Sequence, residues 1–416
     1  MRDIILSHKL EKERLISQTY IKRTGVGQAR KTVGNSILKV ITGPRRAGKS
    51  VFALQMLADK NFAYLNFDDE RLLKQKNYDL FLSGIKEVYQ DIKLLLFDEI
   101  QNLDQWELFV NRLQRQGYEV VLTGSNSKLL SQELASHLTG RYLEFNIYPF
   151  SFQEYLLAKQ LDYKDADSIP EIRGRVLNAL TEYLSSGGYP EIIVKSLNPK
   201  DYLTVLFEGI LFKDIVKRYR VRYPKMLYEL ALYLISNFSC ECTLSGLKKV
   251  LNFGSVHTIQ NYISYFGEAF LIFNIRRFSF KLKQQLKAPE KTYTYDTGIV
   301  NALRFGMTPD YGRLMENLVA TELLRRKEEI YYYKDKNGAE VDFVVKRGLK
   351  ASELIQVSFD VINPKAKKRE IKALLKAGRE LSCKNLIVLT WDYEDREFYN
   401  GTEIVYLPLW KWLIGK

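Results

Sequence analysis

The sequence predicts an α/β chain built on a parallel sheet, and three observations carry that prediction. A short β-branched run, residues 37–42, feeds into a glycine-bounded loop and then a helical pattern from Val51 to Leu57. A second apolar run, residues 92–97, ends in two acids, Asp98 and Glu99. A strand buried on both faces of a parallel sheet reads this way, and ligands gather at its C-terminal end. A third run, residues 119–123, ends in Gly124, Ser125 and Asn126 and so brings polar groups to the same sheet edge.

At 416 residues the chain exceeds one ordinary core, so two or three domains are expected. Hydrophobic residues at 46% and charged residues at 27% describe a globular chain and exclude a disordered one. The net charge of +14 favours a polyanionic partner. Tyrosine (27) and phenylalanine (22) suit large cores and also base stacking. The cysteines are Cys240, Cys242 and Cys383, with no second pair and no nearby histidines. Zinc is therefore not expected, and a reducing, cytoplasmic compartment is. No apolar run has signal-peptide or membrane-spanning length, so a soluble protein with no membrane partner is expected.

Taken in order, residues 8–22 read as a charged helix with Leu10, Leu15 and Ile16 inward, followed by a basic loop over residues 22–31. The loop after the first strand is Gly43-x-x-x-x-Gly48-Lys49-Ser50, a phosphate-binding P-loop in its required strand–loop–helix context. Its glycines let the backbone curl so that N–H groups meet phosphate oxygens, closed by the helix N-terminus. The binding residues are then Gly43, Pro44, Arg45, Arg46, Ala47, Gly48, Lys49, Ser50 and Val51. Lys49 would reach the β- and γ-phosphates, and the Ser50 hydroxyl would sit on Mg²⁺. Residues 61–68 read as a second strand. Asp98 would hold the Mg²⁺ shell, and Glu99 would polarise the attacking water. Asn126 or Ser125 would sense the γ-phosphate or that water. Arg141 fits either an arginine finger, in cis or toward a neighbouring subunit, or a surface salt bridge.

These residues resemble the AAA-type ATPases of archaea and bacteria that carry a C-terminal DUF4143 domain. The resemblance rests on Gly43-Pro-Arg-Arg-Ala-Gly-Lys-Ser50, Leu96-Phe-Asp-Glu-Ile-Gln101, Leu122-Thr-Gly-Ser-Asn-Ser127 and Gly140-Arg141-Tyr142. Pro149-Phe-Ser-Phe-Gln-Glu-Tyr155 and Gly187-Gly-Tyr-Pro-Glu191 extend it, so that it covers nearly the whole chain. It implies an AAA-like sheet in which the Asp98 strand does not directly follow the P-loop strand, and ATP as the nucleotide.

Residues 150–222 are helical in pattern, broken by a turn at Gly187-Gly188-Tyr189-Pro190; in AAA-like proteins such a region is a lid over the nucleotide. Residues 226–300 give three short helices, capped by Thr243 and Ser255, then two strands joined by the lysine-rich segment 281–287. Helix-turn-helix plus a basic hairpin is a winged-helix pattern. Against DNA, His257, Thr258, Gln260 and Asn261 would lie nearest the bases, and Arg276, Arg277, Lys281, Lys283 and Lys287 would meet phosphates. Protein docking is the alternative use of such a module.

Residues 310–416 alternate helix and strand in an order resembling the restriction-endonuclease-like fold. The resemblance implies a metal site at Glu316 and Asp342. The third position reads Gln356-Val357-Ser358, so its carboxylate and lysine are missing. Lys346 shares a face with Asp342 and is a stand-in for that lysine. The expected arrangement is an ATPase domain (1–150), a helical lid (151–222), a winged-helix module (223–300) and a restriction-endonuclease-like domain (301–416). The expected function is ATP hydrolysis coupled to a C-terminal module that binds nucleic acid or protein, with self-association open. The alternatives are an ATP-regulated DNA-binding protein and an ATP-dependent nuclease.

Overall fold

The computed structural model describes residues 1–126, 142–304, 309–361 and 363–415. Two units divide the chain, one of residues 1–150 with 268–270 and one of residues 151–267 with 271–416.

In the first unit, β1 (Leu38–Thr42), β2 (Ala63–Asn66), β3 (Leu94–Asp98), β4 (Glu119–Gly124) and β5 (Tyr142–Asn146) form one parallel sheet in the order β2-β3-β4-β1-β5. β4 thus lies between the P-loop strand and the Asp98 strand. Strand alternation sends Val40, Leu95, Phe97 and Leu122 to one apolar cluster and Ile41, Leu96 and Val121 to another, so both faces are covered. Lys39 is the exception inside β1. It is fully buried, with its ammonium donating to Asn35 O at 2.7 Å and to the Glu119 carboxylate.

The first helix runs over Arg2–Ile16 rather than 8–22, and its buried residues are Ile5, His8 and Lys12. Leu10 and Ile16, expected inward, are 60% and 48% exposed. Satisfied polar tips explain the reversal. His8 meets Asp69 at 3.1 Å, and the Lys12 ammonium donates to Phe62 O at 2.9 Å beneath the rings of Phe62 and Tyr89. Their stems can then occupy the core face that apolar residues alone were expected to fill.

The second unit begins with helices Phe152–Ala158, Pro170–Ser186, Pro190–Lys195 and Pro199–Gly209, three of them opened by proline at a position that needs no N–H. This stretch, expected as a lid, is bound to the C-terminal segment of its own unit. The Arg173 guanidinium holds Asp392 at 2.8 Å, and Lys411 holds Asp167 at 2.6 Å. Helix Pro224–Ser236, β6 (Cys240–Cys242), helices Leu244–Val250 and Val256–Glu268, then β7 (Ile272–Arg276) and β8 (Glu290–Thr294) follow in chain order. The three strands make an antiparallel sheet, β6-β8-β7. The lysine-rich connection between β7 and β8 contains a short helix, Leu282–Lys287.

A six-stranded mixed sheet ends the chain: β9 (Glu329–Lys334), β10 (Glu340–Arg347), β11 (Lys350–Ser358), β12 (Leu386–Thr390), β13 (Asp395–Tyr399) and β14 (Thr402–Pro408), ordered β13-β14-β12-β11-β10-β9. Helices Tyr311–Arg325 and Pro364–Glu380 accompany it.

The Gly187-Gly188 turn has a steric purpose. Asp296 caps the helix Thr297–Leu303 by accepting from Gly298 N at 2.9 Å, and its other oxygen accepts from Gly188 N at 2.7 Å. A Cβ at position 187 would lie 1.9 Å from Asp296 Oδ1. Burial pushes the Asp296 carboxyl up to about 7 despite the backbone donors that favour its charged form. The folded state therefore binds this proton more tightly than the unfolded chain. Its contribution to stability is full below about pH 4 and is lost as the pH rises through about 7, by at most roughly 1.4 kcal/mol per unit. Denaturant midpoints followed across that window should fall less steeply in Asp296→Asn than in the native chain; equal slopes would refute the assignment.

Candidate nucleotide site

The P-loop is shaped by residues with left-handed backbone: Gly43 (φ 146°), Arg46 (φ 64°) and Gly48 (φ 91°). Gly43 is forced by contact as well, since a Cβ there would lie 1.9 Å from Ile147 O. Helix Lys49–Met56 starts directly after Gly48. Arg23, expected in a basic loop, is instead buried and holds the loop in place. It donates to Ala47 O at 2.6 Å and to Tyr148 O at 2.7 Å and lies against the Phe150 ring.

Pro44 and Ala47 are buried, Arg45 and Val51 are half-buried, and Arg46 is exposed. Lys49 is buried, with Nζ donating to Pro44 O at 3.1 Å and lying 3.6 Å from Glu99 Oε1. Ser50 Oγ donates to Asp98 Oδ1 at 2.9 Å, Tyr64 OH donates to Oδ2 at 3.2 Å, and the Thr123 hydroxyl also donates to Oδ1. Burial, reinforced by the Glu99 charge, pushes the Asp98 carboxyl up to about 6 against these donors and Lys49. Glu99 takes a left-handed backbone (φ 51°) while its N–H donates to Thr123 Oγ1 at 3.1 Å. Burial raises its carboxyl too, but Lys49, the Gln101 amide and Arg45 outweigh that and leave it below the ordinary value. Gln101 Nε2 donates both to Glu99 and to Ser125 Oγ, the latter at 3.3 Å.

Ser125 and Asn126 are buried just past β4. The structure therefore brings Lys49, Ser50, Asp98 and Glu99 together, with Asn126 at the end of the intervening strand. Arg141 lies outside the described residues. Sequence reasoning missed Thr123, Tyr64, Gln101 and Arg23. Thr123 left a signal, a polar residue closing an otherwise apolar strand. Tyr64 and Arg23 left none, because one hides in a core pattern and the other in a charged run.

In the second unit Asp342 Oδ2 accepts from Gln356 Nε2 at 2.7 Å and from Val357 N at 2.9 Å. Lys346, expected as a stand-in beside Asp342, is instead committed to Glu329 at 2.8 Å. Against β9, β10 carries one extra residue between Val341 and Val344, which breaks the alternation that put Asp342 and Lys346 on one face.

Comparison with known proteins matches residues 35–156 to an AAA domain, residues 177–310 to a domain of unknown function (DUF8612) and residues 311–411 to a domain of unknown function (DUF4143). An uncharacterized protein of Methanocaldococcus jannaschii is 35% identical over 98% of this chain and 97% of its own length. The chain belongs to the AAA-type P-loop ATPases with a C-terminal DUF4143 domain. A second member of this size, from Haemophilus influenzae, is 31% identical over 90% of this chain and 94% of its own. Among solved structures, the Walker-type ATPase PABY2304 of Pyrococcus abyssi is similar over 70% of this chain and 99% of its own, at 16% identity and a TM-score of 0.44. Cdc6p of Pyrobaculum aerophilum is similar over 70% and 96%, at 13% identity and 0.28. Likenesses this distant carry no functional argument. Within this AAA-type ATPase, Gly187-Gly-Tyr-Pro-Glu191 falls in the DUF8612 match and not in the DUF4143 match.

Proposed function

We propose that this ATPase binds ATP with Mg²⁺, hydrolyses it at the C-terminal edge of β1, β3 and β4, and uses the nucleotide state to move a partner-binding module. The observation that carries the reading is the convergence of Lys49, Ser50, Asp98 and Glu99 beside a loop whose Gly43 leaves no space for a side chain. The residues suit the ligand. Ser50 and Asp98 offer paired hard oxygens of the kind Mg²⁺ takes, and Gln101 Oε1 is buried beside Glu99 without a partner. Mg²⁺, when bound, supplies charge neutralisation at the phosphates. Lys49 would exchange its contacts with Pro44 O and Glu99 for phosphate oxygens, freeing the Glu99 carboxylate to accept a proton from water. Asn126 would orient that water. Arg141 would act as a finger, within the chain or toward a second copy, which makes self-association part of the proposal.

The partner reading that an observation favours is DNA. Lys281, Lys283 and Lys287 are all exposed on the segment joining β7 and β8, and His257 and Gln260 are exposed on helix Val256–Glu268 of a winged-helix order. A protein partner on the same module is the competing outcome. DNA cleavage is not proposed, because Gln356 and Ser358 stand where the nuclease pattern needs an acid and a lysine. No described helix is long and apolar enough to cross a membrane, and the three cysteines are free, which supports a cytoplasmic place of action.

ATP turnover measured across protein concentration, with and without DNA at several salt concentrations, tests the whole reading. Turnover at all concentrations supports a finger in cis, and turnover rising with concentration supports one in trans. Three lysine–phosphate contacts predict binding that weakens with a log–log salt slope of roughly −3. Absence of ATP turnover overturns the hydrolytic reading, and salt-insensitive or absent DNA binding turns the module toward protein.

A further inference from the structure

The restriction-endonuclease-like resemblance implies a divalent metal among the carboxylates of the C-terminal sheet, and the residues present do not fit one. Glu316 on helix Tyr311–Arg325 and Glu340 and Asp342 on β10 converge, but not on open space. The ammonium of Lys291, from β8, stands 3.0 Å from Glu316 Oε1, 2.6 Å from Glu340 Oε1 and 3.4 Å from Asp342 Oδ1. Lys291 is 3% exposed and Asp342 7%. Among the described residues, no three His, Cys, Asp or Glu side chains are arranged to hold a metal ion.

The rest of the cluster is built for an ammonium. Glu316 Oε1 also accepts from Tyr293 OH at 2.7 Å, and the second oxygen of Asp342 is taken up by Gln356 Nε2 and Val357 N. Glu340 shares a second cation, Lys334, at 3.2 Å, which is paired in turn with Glu241 at 2.8 Å. Burial acts to strip the Lys291 charge, but the three carboxylates outweigh it and hold the amine protonated. An isolated carboxylate cluster in a dry interior is costly, and an ammonium on a tether meets that cost without a free ion.

We infer that Lys291 is a built-in counter-ion: its ammonium takes the place of a divalent cation among Glu316, Glu340 and Asp342, closes this site to metal, and fastens β8 to the C-terminal sheet. The cation comes from a different strand than the missing nuclease lysine: β11 carries Gln356 and Ser358, while Lys291 lies on β8. The inference is independent of the ATP reading, since no residue of the P-loop site takes part.

The test measures Mn²⁺ binding to the nucleotide-free full chain by electron paramagnetic resonance, with thermal unfolding alongside. Native protein and Asp342→Asn should bind Mn²⁺ equally, so that nothing bound depends on Asp342. Lys291→Ala should gain one further Mn²⁺ per chain and become thermally stabilised by it, and Lys291→Ala/Asp342→Asn should lose both effects. Should Lys291→Ala not fold in buffer alone, refolding in the presence of Mn²⁺ but not in its absence is the expected result. Asp342-dependent Mn²⁺ binding by the native chain overturns the inference. So does a folded Lys291→Ala that takes up no additional Mn²⁺, or a Lys291→Ala that Mn²⁺ cannot refold.

Discussion

Glu99→Gln should lower ATP turnover by about two to four orders of magnitude, the range for loss of a positioned general base, while ATP binding persists. Turnover per chain and the dissociation constant of a fluorescent ATP analogue, measured on the same preparation, separate the two effects. The substitution keeps the shape of the side chain and removes its charge. It leaves Asp98 with Ser50, Tyr64 and Thr123, so the oxygens proposed for Mg²⁺ stay in place. Glu99 is held below the ordinary carboxylate value, chiefly by Lys49 working against burial, and is therefore ionised at neutral pH. Turnover at the native rate would remove Glu99 from the role of base and make Asp68, whose carboxyl feels the Glu99 charge, the next residue to test.

Gly43→Ala should cost at least about 3 kcal/mol of stability or abolish ATP binding outright, well beyond the usual cost of a single change. Two effects add. A φ of +146° is a conformation that side chains resist, and the new Cβ would meet Ile147 O at 1.9 Å and its carbonyl carbon at 2.9 Å. Both are backbone atoms, and Ile147 is tied to β1 through its N–H to Thr42 O at 2.7 Å, so relief requires the chain itself to shift. Gly117→Ala is the control: its φ is +79° with nothing within 4 Å of the added carbon, so only the conformational cost of about 1 kcal/mol applies. Denaturant midpoints of the two variants isolate the steric part, and equal losses would show that the Ile147 contact does not matter.

Much of the first unit was legible because a parallel sheet leaves a strong local signature. Strands buried on both faces must be continuously apolar, and polar residues then appear only where those strands end. That rule placed Asp98, Glu99 and Asn126 at the sheet edge without any contact being known, while the spacing of the glycine-bounded loop placed Lys49 and Ser50. It failed at the first helix, where His8 and Lys12 lie inward, since apolar spacing cannot register a charged group whose tip finds a carbonyl or a carboxylate across the chain. The same blindness hid Arg23, written inside a basic run yet bound to two backbone carbonyls.

The C-terminal sheet shows the limit most clearly. Glu316 and Asp342 could be paired through the resemblance to the restriction-endonuclease-like fold, and the gap at Gln356 and Ser358 was visible. The cation that answers them was not, because Lys291 lies in a different strand pair and no periodicity links it to β10. Lys346 had the right parity on paper and lost it to the extra residue that β10 carries between Val341 and Val344.

By itself, then, the sequence determined the P-loop and the acids that end a neighbouring strand of the parallel sheet, because each is written in contiguous residues of fixed spacing. Only the tertiary structure decided which charges stay buried and what neutralises them. Pairing energies such as those of Lys291, Asp296 and Arg23 depend on distances between segments that the chain order leaves open.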